Sequence, residues 1–249
     1  MADRRSASVG GQTYLASRPE IWRRLFPVDR RRTRFIADVL GAGGRRVLDV
    51  GCATGDLCGA LAAAGLRPTG IDVNPWFVRA ASAAFPDLRF RVADMRSLPF
   101  RGQFDGLACV GSTLLYASSN SDLASTLRSF RIALRPGGTL LLDVLNASAL
   151  VARRPFLRRT VHRFPRLGLT ARIRHSIDEA NQALIEHVTW SDGRRRHQDP
   201  ESRLRLLFPQ ELTHLLTLAG FGDVETLGDF QKKSHQLGGR RMVTLARRV

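Results

Sequence analysis

Two carboxylates and two glycines are spaced along the chain as they are in nucleoside-binding turns. Asp49 ends an apolar run, and Gly51 and Gly55 follow it in the stretch VLDVGCATGD. Gly51 lets the chain turn tightly, while Ala53 and Gly55 are small enough for a ligand and a helix to approach the backbone. Asp72 lies about 20 residues beyond Gly51, where its carboxylate can accept hydrogen bonds from ribose hydroxyls.

Two other interpretations of this turn were weighed. A dinucleotide site needs the pattern G-x-G-x-x-G, but Ala53 and Asp56 occupy the second and third glycine positions. An acid near a helix start would also repel a pyrophosphate. The pattern therefore favours a nucleoside without phosphates over a dinucleotide, and a turn that binds nothing stays open at this point.

The elements around this turn alternate between strand and helix. Near-continuous apolar runs predict strands at 45–50, 67–72, 88–94, 104–110 and 139–144. Residues at helical spacing predict helices at 56–64, 75–84 and 120–134. Apolar strands that alternate with amphipathic helices predict an α/β fold, with a parallel sheet covered by helices on both faces.

The remaining segments predict four regions along the chain. Residues 1–44 form a tail and a helical lid of two short helices, and residues 45–149 form the core. Residues 150–208 carry three strand-like runs, ARIRHSI, ALIEHVTW and SRLRLLF, which predict a small antiparallel insertion over one end of the sheet. Residues 209–249 return to the core with one helix and two closing strands.

The motifs together resemble a known family. VLDVGCATGDL, GIDVN, RVADMRSLPF, FDGLACVGSTLLY and LRPGGTLLLDV are similar, in order and spacing, to the motifs of class I S-adenosylmethionine-dependent methyltransferases over residues 45–146. The resemblance implies a Rossmann-like seven-stranded sheet whose last strand is antiparallel. It also implies methyl transfer with S-adenosyl-L-methionine as cofactor. One departure is Ala53, where the family usually has glycine, and alanine is small enough to preserve the site.

The resemblance also implies roles for individual residues. The acid and the turn after the first strand receive the methionine part of the cofactor, and Asp72 holds the ribose hydroxyls. Asp94 hydrogen-bonds the adenine amino group, and Met95 lies against the ring edge. The implied cofactor-binding residues are Asp49, Gly51, Cys52, Ala53, Gly55, Asp72, Val73, Asp94, Met95, Cys109 and Val110.

The insertion resembles, more weakly, methyltransferases of small molecules such as amino-sugar and glycine N-methyltransferases. This implies transfer to a nitrogen or oxygen of a small-molecule acceptor. Tyr14 is the catalytic candidate that related enzymes imply, with packing of the N-terminal helix as the alternative. His197 on the insertion could accept a proton, or simply lie in an exposed turn. The acceptor-binding candidates are Ser112, Tyr116 and Arg203.

Charge supports two further hypotheses about partners. The chain has 39 basic and 22 acidic residues, and residues 152–175 carry eight arginines and no acid. Such a segment could bind RNA or a membrane surface, or form a solvated basic face. RNA methylation is thus the rival with the same chemistry, and a non-catalytic scaffold that binds the cofactor is the rival from another class.

Other features of the sequence bound these hypotheses. Three cysteines without metal-ligand spacing predict reduced thiols and no metal site. We expect a cytoplasmic protein, since no secretory signal or apolar run long enough to span a membrane is found.

Overall fold

A seven-stranded sheet forms the centre of the molecule. The computed structural model describes residues 13–153, 159–230 and 239–249, so residues 1–12 of the predicted tail lie outside the described part. The strands follow the order β11-β12-β5-β4-β1-β2-β3. All are parallel except β12, which pairs antiparallel with both β5 and β11. The predicted Rossmann-like sheet with an antiparallel last strand is confirmed.

The bounds of the elements are close to those predicted. The strands of the main sheet are β1 Arg46–Val50, β2 Arg67–Asp72, β3 Arg89–Val92, β4 Phe104–Cys109, β5 Leu134–Leu145, β11 Phe221–Leu227 and β12 Arg241–Arg248. The helices are α1 Pro19–Leu25, α2 Arg30–Gly41, α3 Asp56–Ala63, α4 Pro75–Ala84, α5 Asn120–Ala133, α6 Ala147–Arg153 and α7 Pro209–Leu218. Strand β5 begins five residues before the predicted 139, because the RPGG segment is extended, and α6 was not predicted.

Local chemistry explains where the helices begin. The side chain of Asn74 accepts a hydrogen bond from Trp76 N at 2.9 Å, with Pro75 in the first turn. Such a cap satisfies a backbone donor that has no partner inside the helix. Only two residues therefore separate the end of β2 from the start of helix α4 at Pro75.

A second, five-stranded antiparallel sheet occupies the region of the predicted insertion. Its strands are β6 Thr160–Phe164, β7 Leu169–Asp178, β8 Ala183–Ser191, β9 Arg196–Gln198 and β10 Ser202–Arg205, paired in the order β10-β8-β7-β6 with β9 on β8. Strands β6 and β9 were not predicted, since they are short and mostly exposed. Leu184 and Leu204 on the inner face of this second sheet join the main core.

Of the two N-terminal helices, α2 packs on one face of the main sheet, against β4 and β5, and α1 contacts α4. Helix α2 buries Phe35, Ile36 and Leu40 in a core cluster shared with β1 and α3. Helix α1 buries no residue fully. It is held instead by Arg23, whose guanidinium lies 2.9 Å from Asp56. No helix of the described residues is long and apolar enough to cross a membrane.

Candidate functional site

A cavity of about 670 Å³ lies over the carboxyl ends of β1, β2 and β4. This is the edge at which parallel α/β sheets bind ligands. The floor is formed by the segments that follow these strands, the roof by α1, α2 and the chain between them, and one side by Ser202 of the second sheet. The volume falls in the range of sites for small molecules and cofactors.

Asp49 is a fully buried carboxylate at the bottom of the cavity. Its Oδ2 accepts a hydrogen bond from the Cys58 thiol at 3.4 Å, while its buried Oδ1 has no hydrogen-bond partner among the described residues. Burial raises the pKa of Asp49 to about 7. A buried oxygen without a partner is costly unless a ligand supplies a donor, so Asp49 is suited to bind an ammonium or another donor in the cavity.

The turn after β1 brings its backbone close to this space. Gly51 has a φ of 77°, and a Cβ there would lie 2.5 Å from the Thr113 side chain. Only glycine meets both conditions. Ala53 also lies in the left-handed region, with a φ of 45°, which explains why glycine is the more usual residue at this position. Gly51, Cys52 and Ala53 line the cavity.

Asp72 is held by the same turn at the end of β2. Its Oδ2 accepts a hydrogen bond from Ala53 N and its Oδ1 one from Asn74 N, both at 2.9 Å. Each carboxylate oxygen can accept two hydrogen bonds. Burial raises the pKa of Asp72, although these backbone donors oppose the shift. The backbone therefore fixes the carboxylate and leaves one acceptor position on each oxygen, as a pair of vicinal hydroxyls requires.

Asp94, after β3, supplies another carboxylate to the cavity wall. Arg96 donates to both of its oxygens, with Nη2 2.6 Å from Oδ2 and Nε 3.0 Å from Oδ1. Burial alone would raise the pKa of Asp94, but the hydrogen bonds from Arg96 outweigh it and lower the pKa. Asp94 is thus an ionised acceptor, and the thioether of Met95 lines the wall beside it.

The loop after β4 forms the opposite wall. Val110, Gly111 and Thr113 line the cavity with Tyr116, whose surface is about half exposed. The surrounding protein and the nearby charges of Glu186 and Asp72 raise the pKa of the phenol to about 12. Tyr116 is therefore neutral at physiological pH, and acts as a hydrogen-bonding group rather than as a base.

Arg32 on α2 is a cavity residue that the sequence did not single out. It lines the cavity. Its positive charge acts to lower the pKa of Asp49, which indicates that the two side chains are close. The other arginine of the described cavity wall, Arg96, is engaged by Asp94 and Asp122. The amphipathic pattern of α2 predicted packing only, and it gave no sign that one arginine would turn towards the cavity.

Several predicted site residues lie away from the cavity wall. Cys109 is fully buried in the core beneath it, and Gly55 begins α3 with a φ of 78° against Phe90. Ser112 is buried and accepts a hydrogen bond from Arg241 Nη1 at 2.9 Å. These residues shape the loops that carry the wall, while the remaining implied cofactor residues, Asp49, Gly51, Cys52, Ala53, Asp72, Val73, Asp94, Met95 and Val110, line it directly.

The two catalytic candidates lie together on the second sheet, outside the cavity lining. The Tyr14 ring stacks on Trp190 with centroids 5.4 Å apart, and lies 5.6 Å from the His197 ring. His197 Nε2 is 3.2 Å from Asp199, which also accepts from Tyr14 N at 2.6 Å. This arrangement matches the packing alternative for Tyr14, and gives no support to either residue as a base that reaches the cavity.

Arg203, predicted to bind the acceptor, faces away from the cavity. It alternates with the inward Ser202 and Leu204 along β10, and its guanidinium lies 2.6 Å from Asp178. Because neighbouring residues of a strand point to opposite faces, Arg203 belongs to the outer face of the second sheet. The strand was predicted correctly, but the residue that it turns towards the cavity is Ser202.

The cavity fits a nucleoside that carries an amino acid. Asp49 offers a buried acceptor without a partner, Asp72 two ribose acceptors and Asp94 an ionised acceptor beside Met95. Arg32 supplies a cation on the Asp49 side. Among the described residues, no group of three or more histidine, cysteine or acidic side chains could hold a metal ion. The three carboxylates and Arg32 can therefore recognise an ammonium, a diol, an amino-purine and a carboxylate.

The sequence of the core matches a known family. Residues 47–138 match the family described as a methyltransferase domain. A putative methyltransferase, YqeM of Bacillus subtilis, is 34% identical over 116 residues, which are 45% of this chain and 47% of the relative. The chain thus spans about half the length of the curated relatives that it matches.

Solved structures share the fold over most of the chain. The methyltransferase CcbJ from Streptomyces caelestis has a TM-score of 0.81 at 22% identity, with 98% of this chain and 99% of that chain covered. CalS10 from Micromonospora echinaspora, an amino pentose methyltransferase solved with S-adenosylmethionine, has a TM-score of 0.70 at 19% identity and covers 92% of this chain and 95% of its own.

Proposed function

We propose that this chain transfers a methyl group from S-adenosylmethionine to a nitrogen or oxygen of a small-molecule acceptor, and the match of residues 47–138 to a methyltransferase domain supports this proposal. The observation that carries the proposal is the set of three carboxylates, Asp49, Asp72 and Asp94, that line one cavity of about 670 Å³. A scaffold without a nucleoside ligand would gain nothing from placing these three acids together at one cavity.

Each part of the cofactor has a counterpart in the chain. Asp49 Oδ1 accepts from the amino group of the methionine part, and Arg32 binds its carboxylate. Asp72 accepts from the ribose hydroxyls, and Asp94 accepts from the adenine amino group. Bound in this way, S-adenosylmethionine supplies an electrophilic methyl group on a sulfonium. The chain contributes chiefly by alignment, since a direct displacement depends on how the two reacting atoms are held.

The acceptor would enter where the second sheet meets the cavity. Tyr116 and Ser202 lie on this side, and the aromatic rings of Trp22 and Phe77, 5.1 Å apart, close another part of the wall. Aromatic and apolar walls exclude water and favour a compact organic acceptor. The solved relative CalS10, an amino pentose methyltransferase, supports a small molecule of this kind.

RNA remains a second candidate acceptor because of one observation. Arg163, Arg172, Arg174 and Arg196 are placed by strand alternation on the outer face of the second sheet, and make no ion pair with the described residues. That face is opposite to the one that carries Ser202, so RNA bound there would not be directed into the cavity. A small molecule therefore fits the geometry better.

Calorimetry and a transfer assay test the proposal together. We expect micromolar binding of S-adenosylhomocysteine, largely abolished by Asp72→Ala and unchanged by the control Asp87→Ala on the surface. The transfer assay uses S-adenosylmethionine with a labelled methyl group, against fractionated small metabolites and RNA. No binding by the unmutated protein would refute the proposal, and binding without transfer to any fraction would favour the scaffold. Label that enters RNA, with binding that weakens steeply as salt rises, would favour the RNA candidate.

A further inference from the structure

A row of three polar side chains crosses the inner face of the second sheet. Glu186 on β8 is paired in register with Ser202 on β10 and with His175 on β7. Residues directly opposite one another in antiparallel strands point to the same face. His175 Nε2 lies 2.8 Å from Glu186 Oε2, which confirms the shared face. Ser202 lines the cavity, so the whole row faces the cavity side of the molecule.

The rows on either side of this polar row are apolar. Ile177, Leu184 and Leu204 form the row on one side, and Leu184 and Leu204 are part of the main core. Ile173 and Val188 form the row on the other side. A carboxylate and an imidazole between apolar rows are expensive to keep for stability alone. Their position beside a ligand cavity indicates that they bind something.

The charge of the row fits a positively charged or donor group. The His175 side chain is 16% exposed and that of Glu186 is 28% exposed. His175 is hydrogen-bonded to Oε2 of Glu186, while Oε1 makes no hydrogen bond with the described residues. The charge of Glu186 also reaches Tyr116, where it contributes to a raised phenol pKa. Glu186 and Tyr116 are therefore near one another at the acceptor side.

We propose that Ser202, Glu186 and His175 form the acceptor-binding site, and that it takes a primary or secondary amine in its ammonium form. The proposal rests on the proposed function, because it places the acceptor beside the cofactor cavity. Glu186 Oε1 accepts a hydrogen bond from the ammonium, and the Ser202 hydroxyl accepts a second. His175 holds the carboxylate of Glu186 in position through a hydrogen bond to its other oxygen, Oε2. An alcohol of the same shape lacks the charge, so the site discriminates against it.

The same carboxylate has a role in preparing the nucleophile. An ammonium nitrogen has no free electron pair, and it must lose one proton before it can attack a methyl carbon. The proton moves from the ammonium nitrogen to Glu186 Oε1, so the N–H···O hydrogen bond between them becomes an O–H···N hydrogen bond. The electron pair of the broken N–H bond stays on the nitrogen, which can then attack the methyl carbon. A carboxylate at this position thus selects amines and also accepts their proton.

Binding of a matched pair of probes tests the proposal. Cyclohexylamine and cyclohexanol are titrated into the protein, both alone and saturated with S-adenosylhomocysteine. We expect the amine to bind roughly tenfold or more tightly than the alcohol, and Glu186→Gln to remove that preference. The control is Glu201→Gln, an exposed carboxylate that is paired with Arg203. It should leave the preference intact.

Further measurements separate the possible outcomes. Equal binding of the two probes, no amine binding up to about 10 mM, or an amine preference that survives Glu186→Gln would each overturn the proposal. Glu186→Gln should keep wild-type affinity for S-adenosylhomocysteine and a native circular dichroism spectrum, which excludes unfolding as the cause. If the unmutated protein does not bind S-adenosylhomocysteine, the proposed function is refuted instead. The titration of the probes into the protein alone still reports on the amine site.

A second variant tests how the row acts. His175→Gln keeps a hydrogen-bond donor for Glu186, whereas His175→Leu does not. If His175 positions the carboxylate, the amine preference should be kept mostly by His175→Gln and lost by His175→Leu. Equal losses in both variants would overturn the positioning role of His175.

Discussion

Arg241 on β12 joins the fully buried Asp143 on β5 to the loop that forms one wall of the cavity. Its Nε donates to Asp143 Oδ1 at 2.7 Å, and its Nη1 donates to Ser112 Oγ at 2.9 Å. The other oxygen of Asp143 accepts from Gly111 N at 2.9 Å. Gly111 and Ser112 both have left-handed backbones, with φ of 70° and 72°. One ion pair therefore fixes two residues with left-handed backbones beside Val110 and Tyr116.

Removal of this arginine is expected to be strongly destabilising. Arg241→Leu leaves the fully buried Asp143 carboxylate without its cation, which should lower the free energy of unfolding by about 3–5 kcal/mol in urea titrations. The control Arg247→Leu, at an exposed position of the same strand, should change it by less than about 0.5 kcal/mol. The double variant Arg241→Leu with Asp143→Leu should recover part of the loss. If Arg247→Leu destabilises the protein as much as Arg241→Leu does, then loss of the ion pair between Arg241 and Asp143 is not the cause of the effect.

Ala53 gives a prediction of the opposite sign. An alanine at a φ of 45° is strained, and glycine is not. Because glycine also raises the entropy of the unfolded chain, we expect Ala53→Gly to stabilise the protein by only about 0.5–1 kcal/mol, measured by thermal and urea unfolding. S-adenosylhomocysteine affinity should not fall, since the backbone keeps its donor to Asp72.

The control for this prediction lies in the neighbouring helix. Ala62→Gly within α3 should destabilise by about 1 kcal/mol, because the helical backbone suits alanine. If Ala53→Gly and Ala62→Gly destabilise the protein to the same extent, the backbone of Ala53 is not strained.

The main sheet could be predicted from the sequence because its signals are local. Apolar runs marked the strands of the core, and Asn74 with Pro75 marked the start of α4 to the residue. Strands β6 and β9 were missed, since exposed strands of three to five residues lack a periodic apolar pattern. Each is held by pairing with its neighbour in the chain, β6 with β7 and β9 with β8, and not by an apolar face of its own.

The site could be predicted only on the cofactor side. The three carboxylates lie at or just beyond the carboxyl ends of β1, β2 and β3, and these ends gather at one edge of a parallel sheet. Arg32, Glu186 and His175 reach the site through the packing of α2 and of the second sheet. Which face each element presents is set by tertiary contacts, such as the hydrogen bond from Asn74 Nδ2 to Ala16 O. No local pattern encodes these contacts, and for this reason the sequence does not show that Tyr14 and Arg203 lie outside the cavity lining.

The raised pKa of Asp49 predicts that stability depends on pH. The pKa rises from 3.8 to about 7 on folding, chiefly through burial, so the native state holds this proton more tightly than the unfolded state. The stabilisation from holding it is fully present below pH 3.8, and is lost as the pH rises through about 7. Asp49→Asn removes the cost of the buried charge, and should raise the free energy of unfolding by about 2–4 kcal/mol at pH 8.5.

The same variant should gain much less at pH 5, where Asp49 is already protonated in the native state. Urea titrations at both pH values measure the difference. The control Asp38→Asn, at an exposed position of α2, should show no pH-dependent gain. A gain by Asp49→Asn that is the same at pH 5 and pH 8.5 would contradict the raised pKa.

Arg32 leads to the last prediction, which concerns the part of the cofactor that it binds. If its guanidinium holds the carboxylate of the methionine part, then Arg32→Gln should weaken S-adenosylhomocysteine binding by about 1.5–3 kcal/mol, or roughly 10- to 100-fold. Methylthioadenosine has the same nucleoside but no amino acid, so its affinity should not change. The exposed Arg34→Gln on the same helix is the control, and it should leave both affinities unchanged. Equal weakening of both ligands by Arg32→Gln would instead mean that Arg32 shapes the cavity as a whole, because only a direct contact with the carboxylate separates the two ligands.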